Sequence, residues 1–307
     1  MVQFGHYAPP IHEIVHLSDT HLLGGGRPLY GAVDTDTNIT RAMTRLEESG
    51  VRPEAIVITG DLADLGEPDA YRRLKAVVEP AAERMRARII WVMGNHDERA
   101  PFAQILMQSE PTLAPQDRVY EVNGLRIIAL DSTVPGYHHG DLEPAQLDWL
   151  RNQLATPAPH GTLLALHHPP LPTPVELMAL VELDHQQALA EVIRGTDVRG
   201  ILAGHLHYAT SGTFAGIPVS VAAATCYTLD ASAEPAELVG VDGGQSVNLV
   251  HVYDDQVVHS VVPLASSPRV TGFPKALRDA LAELSPEERR EAFSSKTSTF
   301  DATPFLS

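Results

Sequence analysis

Five apolar runs in this sequence end in side chains that can hold a metal ion or move a proton. "IVHLSDTH" delivers Asp19 and His21, "AIVITGDLAD" delivers Asp61 with Asp64 three residues on, and "IIWVMGNHDE" delivers Asn95, His96 and Asp97. "LLALHHPP" ends in His167 and His168, and "ILAGHLHY" in His205 and His207. Any one of these pairs is compatible with an ordinary strand cap or turn. Their repetition carries the weight, because in an open α/β sheet ligands bind beyond the carboxyl ends of the strands, where the loops converge. Asp19 and His21 stand two apart, as do His205 and His207, so in extended chain each pair would face one way. Gly60, Gly94 and Gly204 directly precede ligand-type residues and would permit the tight turns that aim them at a common point.

Two aspartates, an asparagine and at least three histidines are too many donors for one tetrahedral zinc. Shared between two ions, they suit metals that accept mixed nitrogen and oxygen ligands, such as iron, manganese or zinc, with one carboxylate bridging. Two ions about 3.5–4 Å apart can hold a hydroxide, orient a phosphorus centre and neutralise its oxygens. The chemistry to expect is hydrolysis of a phosphate ester.

Such convergence requires strands alternating with helices. Strands are predicted at 13–17, 55–59 and 88–93. Helices are predicted at 36–50, with Ile39, Met43 and Leu46 at helical spacing and Gly50 as the stop, at 68–86 and at 99–108. A hairpin should turn at Asn123-Gly124, followed by a helix across "EPAQLDWLRNQL". "TLLALHH" and "RGILAGHLH" read as strands separated by a helix around 184–194. After Tyr208 two successive hairpins are predicted, turning at Ala215-Gly216 and Asp254-Asp255. No linker separates the halves, so residues 12–264 read as one mixed α/β domain. Residues 265–307 read as a C-terminal appendage. There "FPKALRDALAEL" forms a short amphipathic helix through Leu277, Leu281 and Leu284, and "SPEERREAF" opens on a capping box of Ser285 with Glu288.

The chain has 307 residues, a net charge of −17 and only three lysines, which argues against a nucleic-acid scaffold. That charge would also repel an anionic substrate unless bound cations invert the local potential. No apolar run approaches the roughly 18 residues of a membrane helix. Residues 273–293 set four basic side chains against five acidic ones, so a membrane-surface helix is not expected. "MVQFGHYAPPIHE" lacks the basic region and apolar core of a signal peptide. A single cysteine, Cys226, excludes an intrachain disulfide and a cysteine-based zinc site. A cytoplasmic location is the expectation, and Cys226 beside Tyr227 reads as core.

In this order, the blocks "SDTH", "GDLAD", "GNHD", "LHHPP" and "GHLH" resemble the signature blocks of the calcineurin-like metallophosphoesterases, over about residues 12–264. Through "LYGAVD", "LRIIALD" and "IPVSVAAATCYT" the chain looks most similar to the bacterial class III cyclic-nucleotide phosphodiesterases. The resemblance implies an α/β fold, a β-sandwich of two mixed sheets flanked by helices. It implies that Asp19, His21 and His207 hold one metal, often iron. Asn95, His167 and His205 would hold the other, often manganese or zinc, and Asp61 would bridge them. His96 resembles a histidine that contacts the phosphate and protonates the leaving oxygen. Asp97 would orient His96 and Asp64 would steady a ligand from behind. His168, next to a ligand, would turn to the other face by alternation. His138 and His139, in "YHHGD", lie in a loop that could reach substrate. The family further implies a homodimer.

The function expected is hydrolysis of 3′,5′-cyclic AMP, and of other cyclic nucleotides, to the nucleoside monophosphate by a hydroxide held between the metals. The same centre could open 2′,3′-cyclic nucleotides or cleave other diesters, because its ligands grip phosphate and not base. A protein-phosphatase reading lacks the arginines that accompany the corresponding blocks. A nuclease reading lacks the many cationic contacts that sequence-independent binding needs. A non-catalytic metal-containing binding protein would have to keep a complete ligand set idle. The partner expected is thus a small cyclic nucleotide, with no nucleic acid and no membrane insertion.

Overall fold

The central strands are apolar at nearly every position because both of their faces are covered. In the computed structural model, which describes residues 2–300, the chain begins with β1 (His12–Leu17), α1 (Thr35–Ser49), β2 (Ala55–Thr59), α2 (Pro68–Met85), β3 (Arg88–Val92) and α3 (Arg99–Ile105). It continues through β4 (Arg118–Val122), β5 (Leu125–Ala129), α4 (Pro144–Leu154), β6 (Thr162–Ala165), a 3₁₀ turn (Glu176–Val181), α5 (Gln186–Ile193) and β7 (Val198–Ala203). Then come β8 (Thr210–Phe214), β9 (Ile217–Val221), the short β10 (Thr228–Leu229) and β11 (Gly240–Val241), β12 (Ser246–Val252) and β13 (Val257–Pro263). These elements lie in a compact unit of residues 10–265. Helices α6 (Lys275–Ala282) and α7 (Pro286–Ser294) belong to a second unit, made of the amino-terminal segment to residue 9 and the chain from residue 266.

Five strands form one sheet in the order β13-β12-β1-β2-β3, parallel across β1, β2 and β3 and antiparallel at β12 and β13. Six form the other, in the order β4-β5-β6-β7-β9-β8, with β5, β6, β7 and β9 parallel and the edge strands antiparallel. This is the two-sheet mixed sandwich that the resemblance implied. Ile14, Val57 and Ile90 of the first sheet share a buried cluster with Ile127, Leu163 and Leu202 of the second. Val15, Ile56 and Ile58 point the other way, into a cluster with Ile39 and Leu46 of α1 and Leu74 of α2. Ile128, Leu164 and Ile201 likewise join Leu150 of α4 and Leu189 of α5. Each such side chain contributes about 1.5–3 kcal/mol by leaving water.

Local signals set the element ends. The Asp34 carboxylate accepts the Thr37 N–H to open α1, and Gly50 closes it at φ 75°. In α7, Ser285 and Glu288 exchange hydrogen bonds at 2.9 and 3.2 Å, the predicted capping box. Asn123-Gly124 and Ala215-Gly216 all take positive φ, as two-residue hairpin turns require. The two late hairpins part company, β8-β9 joining the second sheet and β12-β13 the first. No helix among the described residues is long and apolar enough to cross a membrane.

One buried cation ties the second sheet together. Arg126 of β5, 7% exposed, donates from Nε to Thr162 Oγ1 at 2.8 Å and from Nη1 to the carbonyls of Gln153 and Thr156 at 2.6 and 2.9 Å. Its Nη2 pairs with Asp197 Oδ1 at 2.9 Å, and Asp197 also accepts the Ala158 N–H at 2.7 Å. Arg126→Ala leaves that carboxylate without its counter-charge and is expected to lower the unfolding free energy by about 3–5 kcal/mol. Urea unfolding measures it, and a loss below about 1 kcal/mol would put this network on a par with surface pairs.

Candidate metal centre

The ligand-type residues lie just beyond the strand ends, since β1 stops at Leu17, β2 at Thr59, β3 at Val92, β6 at Ala165 and β7 at Ala203. Asp19, His21, Asp61, His205 and His207 all adopt left-handed backbone, with φ between 44° and 71°. This corrects the extended-chain expectation: the pairs converge because the chain turns at each residue, not because a strand alternates. Of the three preceding glycines, only Gly60 takes a positive φ, at 90°. Gly94 and Gly204 are needed for close approach instead. A Cβ on Gly94 would strike the Asp61 backbone nitrogen and carboxylate, and one on Gly204 would strike Ser18 Oγ and come within 2.6 Å of Asp19 Oδ2.

Seven of the predicted residues meet in two sets that share one oxygen. Asp19 Oδ1 lies 3.3 Å from His207 Nε2 and 4.0 Å from His21 Nε2. Those two nitrogens are 3.2 Å apart, and His21 Nε2 is 3.4 Å from Asp61 Oδ2. The same Asp61 Oδ2 lies 3.2 Å from His167 Nε2, which is 3.1 Å from Asn95 Oδ1 and 3.3 Å from His205 Nδ1. The outer nitrogen of every one of these histidines is anchored. His21 Nδ1 bonds Asp64 Oδ1 at 2.9 Å, His167 Nδ1 the Thr59 carbonyl at 2.7 Å, His205 Nε2 the Val181 carbonyl at 2.8 Å, and His207 Nδ1 the Tyr227 carbonyl at 3.0 Å. An outer N–H committed to an oxygen leaves the inner nitrogen as a free lone pair.

Electrostatics agree with that geometry. Burial works against charge on Asp19, but the charge and hydrogen bond of His207 outweigh it and hold the carboxyl down at about 2. Asp61 is likewise held well below the usual carboxylate range, against burial, by His167 and His21. In return, and again against burial, His167 rises to about 9 through Asp61 and His207 to about 10 through Cys226 and Asp19. His205 falls to about 3 through burial and the His167 charge. Divalent cations can balance such carboxylates in place of imidazole protons, and the nitrogen–oxygen donor mix suits iron, manganese or zinc.

The neighbours divide differently from expectation. His96 donates its backbone N–H to Asp61 Oδ1 at 2.8 Å and sets its ring Nδ1 2.8 Å from the Asp64 carbonyl. Asp64 therefore steadies both His21 and His96. Asp97 makes no hydrogen bond to His96; it accepts the N–H groups of Gly94, Leu62 and Ala63 at 2.9–3.1 Å and the Tyr71 hydroxyl at 3.0 Å, joining the loops after β2 and β3. Burial and the Asp61 charge push it up to about 7. His138 reaches the site, accepting from the Asn95 amide at 2.8 Å with its ring 4.9 Å from that of His96. His139 lies 3.8 Å from Asp184 instead and does not line the cavity.

His168 has not turned away: its ring sits 4.5 Å from that of His205. Both its nitrogens are engaged, one with Ser132 Oγ at 2.8 Å and one with the His138 carbonyl at 3.1 Å, so it braces the His138 loop. Cys226, read as core, is buried but stands with Sγ 3.8 Å from His207 Nδ1. Nothing in "AAATCYT" signals this, because the contact arises when residues 224–226 hydrogen-bond to the carbonyls of His207, Ser18 and Asp19.

The calcineurin-like phosphoesterase family model matches residues 12–209. The chain is 55% identical over 276 residues to the cAMP/cGMP dual specificity phosphodiesterase of Mycobacterium tuberculosis, covering 89% of this chain and 87% of that one. It is 32% identical over 196 residues to a 3′,5′-cyclic adenosine monophosphate phosphodiesterase of Pseudomonas aeruginosa, covering 63% of this chain and 69% of that one. In fold it is similar to a dimetal phosphatase from Danio rerio, with a TM-score of 0.58 at 14% identity over 84% of this chain and 98% of that one.

The glycine packing yields a test. Gly204→Ala forces Ser18 and Asp19 aside and is expected to weaken metal binding about 10–100-fold, as loss of an orienting neighbour does. Elemental analysis after dialysis against graded manganese reads this, and unchanged metal content would refute the close-approach argument.

Proposed function

The chain belongs to the calcineurin-like phosphoesterase family, whose members bind two metal ions, and from that premise we propose that it hydrolyses 3′,5′-cyclic AMP, and other cyclic nucleotides, to the nucleoside 5′-monophosphate. The observation that carries this reading is the pair of donor sets meeting at Asp61 Oδ2, with the outer nitrogen of each histidine committed elsewhere. Asp19, His21, His207 and Asp61 would hold one ion; Asn95, His167, His205 and Asp61 the other. Iron paired with manganese or zinc suits that donor mix. When bound, the ions supply an acidified water and neutralise the phosphate oxygens. The names of the mycobacterial and pseudomonad relatives support the cyclic-nucleotide substrate.

The chain's own groups supply the rest. His96 lines a cavity of about 260 Å³ beside Asn95 and His138. Its Nδ1 is committed to the Asp64 carbonyl, so in the imidazolium form Nε2 carries the proton that can be given. Burial lowers its pKa. As a water oxygen joins phosphorus and the bond to the ribose 3′ oxygen breaks, the His96 proton passes to that oxygen. The Asn95 amide bridges the neighbouring groups, its nitrogen bonded to His138 and its oxygen 3.1 Å from His167 Nε2. We assign residues 12–264 to the catalytic domain and residues 265–307 to an appendage.

With manganese added, kcat/KM for 3′,5′-cyclic AMP is expected to exceed that for 2′,3′-cyclic AMP, a bis-aryl phosphate and an aryl monophosphate. His96→Ala should lower kcat about 10²–10⁴-fold while bound metal stays at the level of the unmodified protein. A hundredfold preference for the 2′,3′ isomer or the bis-aryl ester would keep the hydrolytic centre and remove the second-messenger substrate.

A further inference from the structure

The cavity over the histidine cluster has a second character. Besides His21, Asn95 and His96, it is lined by Leu177, Met178, Val181, Leu229 and Leu238 and by the ring of Tyr227. None of the five aliphatic residues belongs to a block that bears a proposed metal ligand. They come from two separate segments, the 3₁₀ turn at Glu176–Val181 and the chain around β10 and β11, which are joined by the Glu176 N–H donating to the Pro235 carbonyl at 3.0 Å. Met178 and Leu229 are buried, whereas Leu177 and Leu238 are 48% and 44% exposed.

The wall is not independent of the metal-facing side. The Val181 carbonyl that caps the 3₁₀ turn is the group that anchors His205 Nε2 at 2.8 Å. The Tyr227 carbonyl anchors His207 in the same way at 3.0 Å, and its ring packs 4.5 Å from the His207 ring. The same backbone that aims two imidazoles inward thus turns an apolar surface toward whatever the imidazoles help to hold. Its one polar side chain, Tyr227, packs edge-on against the Tyr30 ring at 5.7 Å.

We propose that Leu177, Met178, Val181 and Leu238 form the base subsite of this enzyme and take the purine of a 3′,5′-cyclic nucleotide by apolar contact. This rests on the cyclic-nucleotide reading above. A substrate whose phosphate lies over the histidines carries its base one ribose away, and the aliphatic wall is the continuation of the same cavity. A purine offers two broad faces for burial and a hydrogen-bonding rim. The wall meets the faces with side chains that carry no donor or acceptor for the rim, so the rim keeps its water. Discrimination between two bases needs buried polar groups that one base satisfies and the other leaves unpaired. With none among these four side chains, the wall contributes binding without reading the base, and adenine and guanine are accepted alike.

The test uses the full chain with manganese and three substrates: 3′,5′-cyclic AMP, 3′,5′-cyclic GMP and the 3′,5′-cyclic phosphate of 1-deoxyribose, which keeps the reacting ring and has no base. In the Leu177→Ser/Leu238→Ser variant, kcat/KM for both purine nucleotides relative to the base-free substrate is expected to fall about tenfold, chiefly through KM. The ratio between the two nucleotides should stay within about threefold of its unmodified value. Leu238→Ser alone, remote in sequence from the turn that anchors His205, should move the same ratio in the same direction. An equal loss on all three substrates would overturn the base subsite and leave the cyclic-nucleotide reading intact. So would an unmodified protein that prefers one purine by a hundredfold. Turnover of the base-free ring without turnover of either nucleotide would overturn both.

Discussion

Two ionised carboxylates with almost no solvent contact set the terms for the rest of the molecule. Asp19 and Asp61 are 0% and 2% exposed, and a buried carboxylate without counter-charge costs several kcal/mol. The fold meets that cost by drawing imidazoles from separate loops and fixing each from behind, so that compensation comes with direction. Asp61 works at both ends, with Oδ2 between the two histidine sets and Oδ1 accepting the His96 N–H. Because electrostatic compensation falls off with distance, the loops must pack without slack, and neither Gly94 nor Gly204 has room for a methyl group.

That packing explains why the architecture is a sandwich with parallel centres. β1, β2 and β3 supply three of the loops from one sheet, and β6 and β7 supply two from the other. Parallel strands bring their carboxyl ends to a common edge, and the antiparallel strands are confined to the flanks. Beyond the strands the ladder does not stop. Asp19 donates its N–H to the Gly60 carbonyl, His21 to Asp61, Gly204 to His167 and Thr225 to Ser18, at 2.9–3.1 Å. The loops are continuations of the sheets, and this gives their side chains the rigidity that two adjoining ion sites demand.

The parts legible in the sequence were those governed by local rules. Apolar runs bounded by Gly, Asn and Asp marked the strands, Gly50 marked the end of α1, and the Ser285–Glu288 pair marked α7. The residues of the centre were legible as a set because each strand end carried one block. What could not be read was direction and long-range adjacency. Alternation placed His168 away from its neighbour, whereas the chain has already left β6 at Ala165 and alternation no longer applies. Asp97 seemed an orienting partner by nearness in sequence, yet its oxygens are committed to backbone donors from two loops and Asp64 performs that role. Cys226, Tyr227 and the aliphatic wall come from segments with no chemistry of their own. They acquire it only because β9 and the 3₁₀ turn end beside the histidines.

The backbone at the centre follows from a coincidence of chemistry. To turn sharply at a strand end a chain ordinarily uses glycine, but glycine brings no ligand. A residue that must both turn the chain and donate to a cation has to tolerate left-handed φ, which costs most side chains of order 1–3 kcal/mol. Asp, Asn and His are the residues other than glycine most often found there, and two of them are strong oxygen and nitrogen donors for transition metals. The overlap accounts for Asp19, His21, Asp61, His205 and His207 all being left-handed. It also gives the Asp-x-His and His-x-His patterns a meaning that strand alternation does not. At each second position the chain turns again and returns a donor to the same point. Replacing any of the five by glycine would relieve the strain and remove a donor with it, so the strain is inseparable from the site.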